Sequence, residues 1–87
     1  MANYKVLIKP SAKKELEKLS KKDLQKIVVK IQNLSSDPRP TGSEKLSGDD
    51  KFRIRQGNYR IVYSIEDNKL IVFVVKIGHR RDIYRKR

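Results

Sequence analysis

The sequence predicts a small α+β fold in the order β-α-α-β-β-β, with an antiparallel C-terminal sheet packed on two helices. Three observations carry this. Leu24, Ile27, Val28, Ile31 and Leu34 recur at i, i+3, i+4, i+7 and i+10, the stripe of an amphipathic helix. From Lys51 onward the apolar period changes to two, in "KFRIRQ" and "YRIVYSI". Between these regimes stands "SSDPRPTGS", whose two prolines and glycine make a loop.

Each element has its own signal. "YKVLIK" (4–9) is short, rich in β-branched residues and stopped by Pro10, as a first strand. "PSAKKELEKL" opens a helix with Ser11 as the expected N-cap and Leu16 and Leu19 on one face. Ser20, with Asp23 three residues on, is a second capping signal and starts the Leu24–Leu34 helix of about four turns. In "KFRIRQ", Phe52 and Ile54 alternate with Arg53 and Arg55. Gly57-Asn58 marks a hairpin turn, and Tyr59, Ile61, Tyr63 and Ile65 then share one side of the next strand. "EDNK" turns again into "LIVFVVKI", an apolar run expected to be a central strand covered on both faces.

At 87 residues the chain is expected to form one domain with a small core, spanning 1–87, with 78–87 as a mobile basic segment. There is no cysteine, so neither a disulfide framework nor a thiolate metal site is available. "MANYKVLIK" has no long apolar stretch of the signal-peptide kind, and no run approaches the roughly 20 apolar residues that span a bilayer. A soluble cytoplasmic protein with no membrane partner is the expectation.

Charge points to polyanionic partners. The formal net charge is +12. Seven of the eight arginines follow position 50, while the first half is rich in lysine, the usual dress of a solvated helix. Guanidinium groups bind phosphate through a planar fork, so arginines gathered on strands carry more meaning. With Phe52, Ile54, Tyr59, Ile61 and Tyr63 turned toward the helices, Arg53, Arg55 and Arg60 face the other way. Solvated faces usually mix signs, yet no carboxylate lies between Lys51 and Arg60.

The chemistry open to such a set is narrow. One histidine and scattered carboxylates give no metal-ligand spacing, and no cofactor is implied. No serine sits in a nucleophile elbow, and the four glycines form no phosphate loop. A cationic face acting on RNA phosphate remains. RNA can be cut without metal when its own 2′-OH attacks the adjacent phosphorus. The enzyme then has to take that proton, stabilise the phosphorane and protonate the leaving oxygen. The ending "GHRRDIYRKR" places His79, Arg80, Arg81 and Tyr84 just beyond the last strand, where the segment could fold over the arginine face. An aromatic among arginines also suits unstacked bases. Arg85, Lys86 and Arg87 are expected to grip nucleic-acid backbone by charge.

The block "KLSGDDKFRIRQGNYRIVYSIEDNKLIVFVVKIGHRRDIY" resembles the RelE/ParE superfamily of bacterial and archaeal type II toxins, most specifically in "NYRIVY" and "KIGHRRDIYR". The resemblance covers nearly the whole chain. It implies a ribosome-dependent endoribonuclease (an mRNA interferase) that cuts mRNA in the A site by metal-independent 2′-OH attack. It places Arg60 at the transition-state arginine, Arg80 at an arginine assisting the leaving group, and Tyr84 at a tyrosine that stacks on the substrate. Arg53 and Arg55, with Arg81, Arg85, Lys86 and Arg87, are then RNA-binding residues. The first two stand where the best-known RelE toxins have lysines. Arginine does not serve as a base, so His79 becomes a candidate for that role. The implied partners are the ribosome, mRNA and an acidic RelB-like antitoxin that wraps the basic surface, with the Leu24–Leu34 helix and the sheet edges as docking places. Two other readings stay open: a ParE-like DNA gyrase inhibitor without nuclease activity, and a nucleic-acid-binding module without chemistry.

Overall fold

The computed structural model describes residues 3–46 and 50–79. Strand β1 (Lys5–Ile8) leads into helices α1 (Pro10–Glu17) and α2 (Lys21–Asn33), followed by strands β2 (Glu44–Lys45), β3 (Lys51–Gln56), β4 (Tyr59–Glu66) and β5 (Ile71–His79). The five strands form one mixed sheet in the order β1-β5-β4-β3-β2. Strand β1 runs parallel to β5, with Val6 opposite Val72 and Ile8 opposite Val74, and the other pairs are antiparallel. The predicted α+β order is thus found, with one added strand, the two-residue β2, and with the predicted first strand joining the sheet in parallel at β5.

Local chemistry explains the helix ends. Pro10, rather than Ser11, sets the start of α1: its ring presets the dihedral of a first helical position, and Lys9 becomes an N-cap with no side-chain bond. Helix α2 starts as expected, with the Ser20 hydroxyl accepting from the Asp23 amide at 3.2 Å. Its stripe then lays Ile27, Ile31 and Leu34 into the core with Ala12 and Leu16 of α1. Ile54, Ile61, Tyr63, Val72, Val74 and Ile77 meet them from the sheet.

Two features of the sheet position everything that follows. Gly57 takes φ +62° at the first place of the Gly57-Asn58 turn, a position that type II′ hairpins reserve for glycine, and this locks β3 against β4 with Arg55 opposite Arg60. The second is a bulge. Tyr63 lies opposite Val74, but Val62 lies opposite Lys76, so Val75 is an extra residue in β5. The bulge shifts the alternation by one: Val72 and Val74 face the helices before it, Ile77 after it. This corrects the expectation of a strand covered on both faces. The bulge accommodates the second of the two adjacent valines, Val74 and Val75, and Phe73, on the face away from the helices, remains 37% exposed.

Loops are pinned by specific polar contacts. The Tyr63 hydroxyl donates to the Pro38 carbonyl at 2.7 Å, and the Tyr63 ring stacks on Phe52 at 5.9 Å. Asp67 accepts from the Tyr4 hydroxyl at 2.6 Å and from two nitrogens of Arg39 at 2.9 and 3.4 Å. These contacts tie the β4–β5 turn to the start of β1 and to the loop after α2.

Candidate nucleic-acid interface

The hairpin of β3 and β4 builds the site. Period two along both strands turns Arg53, Arg55 and Arg60 away from the helices, as predicted. Arg55 lies directly opposite Arg60, which brings their Cβ atoms to about 5 Å, and Arg53 stands on the neighbouring diagonal at about 7–8 Å. Like charges facing each other across a ladder are destabilising, so the arrangement favours an anion between them. The face is less open than expected. Arg60 is only 6% and Val62 only 7% exposed, because β4 has paired strands on both sides whose long side chains crowd its centre. Arg55 projects outward as the exposed member.

Two further residues belong to this face. Lys76, thrown outward by the bulge, sits opposite Val62 and diagonal to Arg60. Glu44 of β2 lies opposite Arg53 and forms an ion pair between its Oε1 and Arg53 Nη2. The Glu44 carboxyl is held below its ordinary range, first by the bond from Arg53 and further by the charges of Arg53, Arg55 and Arg60. Local sequence signal for Glu44 was absent, since a two-residue strand has no period. Lys76 was visible as the one charge inside an apolar run, but its face depended on the bulge.

His79 is not brought to the arginines. Beyond the bulge, Gly78 pairs with Arg60 on the outer face and His79 pairs with Tyr59 on the helix face. There the two rings meet edge to face at 5.6 Å, and the Tyr59 hydroxyl donates to Asp23 Oδ2 at 3.3 Å. Burial, and then the Asp23 charge, raise the Tyr59 pKa. The expected partnership of His79 with Arg53, Arg55 and Arg60 is therefore corrected: one extra residue in β5 reverses the side on which the histidine emerges. Of the expected mobile segment 78–87, Gly78 and His79 are instead paired residues of β5, and the remainder, with Arg80, Arg81, Tyr84, Arg85, Lys86 and Arg87, lies outside the described residues.

A second surface lies on the opposite side of the fold. A cleft of about 510 Å³ beside β1 is lined by Tyr4, Val6, Ile8, Leu16, Val28 and Ile31, with Gln32 and Ser35 at its rim. It adjoins the outer edge of β1, the end strand of the sheet among the described residues.

A five-stranded sheet thus carries two helices on one face and an arginine-lined hairpin on the other, and proteins similar to it are small toxins. A profile described as the ParE toxin of the type II toxin–antitoxin system parDE matches residues 6–84. The toxin RelG of Mycobacterium tuberculosis is 33% identical over 87 residues, covering 95% of this chain and 98% of RelG. The mRNA interferase toxin RelE of Escherichia coli K12 is 31% identical over 71 residues, covering 79% and 75% of the two chains. The toxin–antitoxin complex RelBE2 of M. tuberculosis superposes with a TM-score of 0.82 at 29% identity, over 92% of this chain and 94% of that one. The chain belongs to the RelE/ParE superfamily of type II toxins, and within it is a toxin of the RelE family.

Proposed function

We propose that this toxin is an endoribonuclease that cleaves mRNA in the ribosomal A site by attack of the substrate's own 2′-OH, with no metal in the reaction. The observation that carries the reading is the facing pair Arg55 and Arg60 with Arg53 beside them. Three guanidiniums of one sign on one hairpin suit a phosphate whose charge rises as the phosphorane forms. The buried Arg60 is the transition-state arginine of the proposal. Its low exposure removes competing water and strengthens its pull on developing charge. Arg53 and Arg55 hold the flanking backbone. By the family resemblance, Arg80 assists the leaving 5′-oxygen and Tyr84 stacks on a base. Arg81, Arg85, Lys86 and Arg87 add charge against nucleic acid. His79, on the helix face, has no part in the proton transfers.

The proposed partner is an acidic antitoxin segment that orders on binding. The apolar cleft beside β1 suits its hydrophobic residues and the net charge of +12 its carboxylates. RelE–RelB complexes among the structural relatives support this partner. Action on the ribosome implies a cytoplasmic protein.

The profile match to ParE keeps one alternative in play, a gyrase inhibitor of the same fold. A reconstituted translation reaction with mRNA ends mapped by primer extension separates the two. Wild-type protein is expected to cut at A-site codons, and Arg60→Ala to lower the rate by about 10²–10³-fold, the usual cost of a lost oxyanion donor. Intact mRNA together with inhibited gyrase supercoiling would overturn the nuclease reading.

A further inference from the structure

Glu44 is an odd residue to find on a face built for anions. It comes from an edge strand of two residues, and the β2–β3 register sets its carboxylate against Arg53. Arg55 and Arg60 act on the same carboxylate from farther off, so all three guanidiniums bear on one point. A carboxylate and a phosphate present the same two-oxygen edge to a guanidinium fork. Glu44 thus stands in the position a phosphate would take.

We propose that Glu44 is an internal anion that occupies the arginine cluster in the free protein and is displaced when an RNA phosphate binds. The inference rests on the reading of that cluster as an RNA site. The geometry suits displacement. The Arg53 side chain is 17% exposed, whereas Glu44 is 57% exposed on its edge strand, so the carboxylate is the partner free to leave. Ion pairs this exposed hold together weakly. A cleft of about 330 Å³ beside it is lined by Glu44, Lys30, Thr41, Gly42, Ile54 and Arg55, which gives the displaced carboxylate both room and another cation. Such a device discriminates by charge density. A polynucleotide outcompetes one tethered carboxylate because it releases several counterions along its length, and a single small anion does not. It also offsets part of the cluster's positive charge while the site is empty.

Fluorescence anisotropy with a short single-stranded 2′-O-methyl oligoribonucleotide tests this, because that probe cannot be cut by its own 2′ oxygen. The full-length protein is titrated as wild type, Glu44→Gln, Arg53→Gln and Glu66→Gln across a salt series. Glu66 pairs with Lys69 at the far end of β4, so its variant makes the same change in net charge away from the cluster. Glu44→Gln is expected to bind about fivefold tighter with the salt slope unchanged, since Arg53 meets the same phosphate in both complexes once the carboxylate is displaced. Glu66→Gln is expected to change affinity less than about twofold. Equal effects of the two glutamine variants would overturn the inference, since net charge alone would explain them. Weaker binding by Glu44→Gln would also overturn it, by making the glutamate a prop for Arg53. If the wild type binds, Arg53→Gln weakens binding and Glu44→Gln changes nothing, the inference falls alone. Absence of binding in every protein removes the RNA site and the inference together.

Discussion

Replacing Tyr63 by phenylalanine removes one oxygen from the centre of the fold, and the consequences can be worked out at two pH values. The ring is fully buried, stacks on Phe52 and donates to the Pro38 carbonyl at 2.7 Å. Pro38 is itself buried, so the variant leaves a carbonyl without its partner, at about 1–2 kcal/mol. In a domain of this size that lowers the melting temperature by about 5–15 °C. Burial also pushes the Tyr63 phenol up to about 12 from its ordinary 10.0. An acid whose folded pKa is raised keeps its proton longer in the native state than in the unfolded chain. The wild-type advantage is therefore complete below pH 10 and is lost as pH rises through about 12. Allowing for solvent screening, the loss is roughly 1–2 kcal/mol, comparable with the advantage itself. Urea unfolding followed by circular dichroism, at about pH 7 and about pH 11, should show the variant markedly weaker at the first and the gap clearly narrower at the second. A constant gap between the two proteins at both pH values would refute the argument. It would mean that the phenol ionises as readily folded as unfolded. The loop held by this bond leads through Arg39 to Glu44, so the same variant should loosen β2 from Arg53.

Two other perturbations follow from the loops. Leu70 sits at φ 53°, a left-handed conformation that costs a residue with a Cβ about 1–2 kcal/mol and that asparagine tolerates better. Leu70→Asn is expected to raise stability by about 0.5–1 kcal/mol in thermal melts, and a lower melting temperature would mean that its half-exposed side chain contributes more than the strain removes. Arg39, and then Tyr4, hold the Asp67 carboxyl below its ordinary 3.8. Its stabilising contribution is present above that value and lost as pH falls through the depressed pKa, so Asp67→Asn should be less stable than wild type near neutrality and converge with it in acid. Melting temperatures that fall in parallel with acidification would sink this account of the cluster.

Much of the molecule was legible because its signals are local. The stripe from Leu24 to Leu34, the capping pair Ser20 and Asp23, and the Gly57-Asn58 turn each depend on residues within a few positions of one another. The shared face of Arg53, Arg55 and Arg60 followed from strand period alone. What was missed depends on distance along the chain. The pairing of β1 with β5 joins residues more than sixty positions apart, and nothing within "YKVLIK" names that partner. Glu44 belongs to the site only because a two-residue strand meets β3. Arg60 was expected on an open face, and its burial depends on flanking strands that period cannot count.

The extra residue in β5 also separates two kinds of chemistry by parity. Up to Val74 the even-numbered positions of the strand look inward, and from Lys76 on they look outward. Straightening the strand with all its residues kept, so that Val75 took a place in the ladder, would exchange the two sets, carrying an ammonium into the oily interior and the imidazole round to the guanidiniums. No gradual drift of side chains connects those arrangements. Which side of the sheet carries the histidine is therefore an all-or-nothing matter, decided by whether Val75 stands out of the ladder or pairs within it.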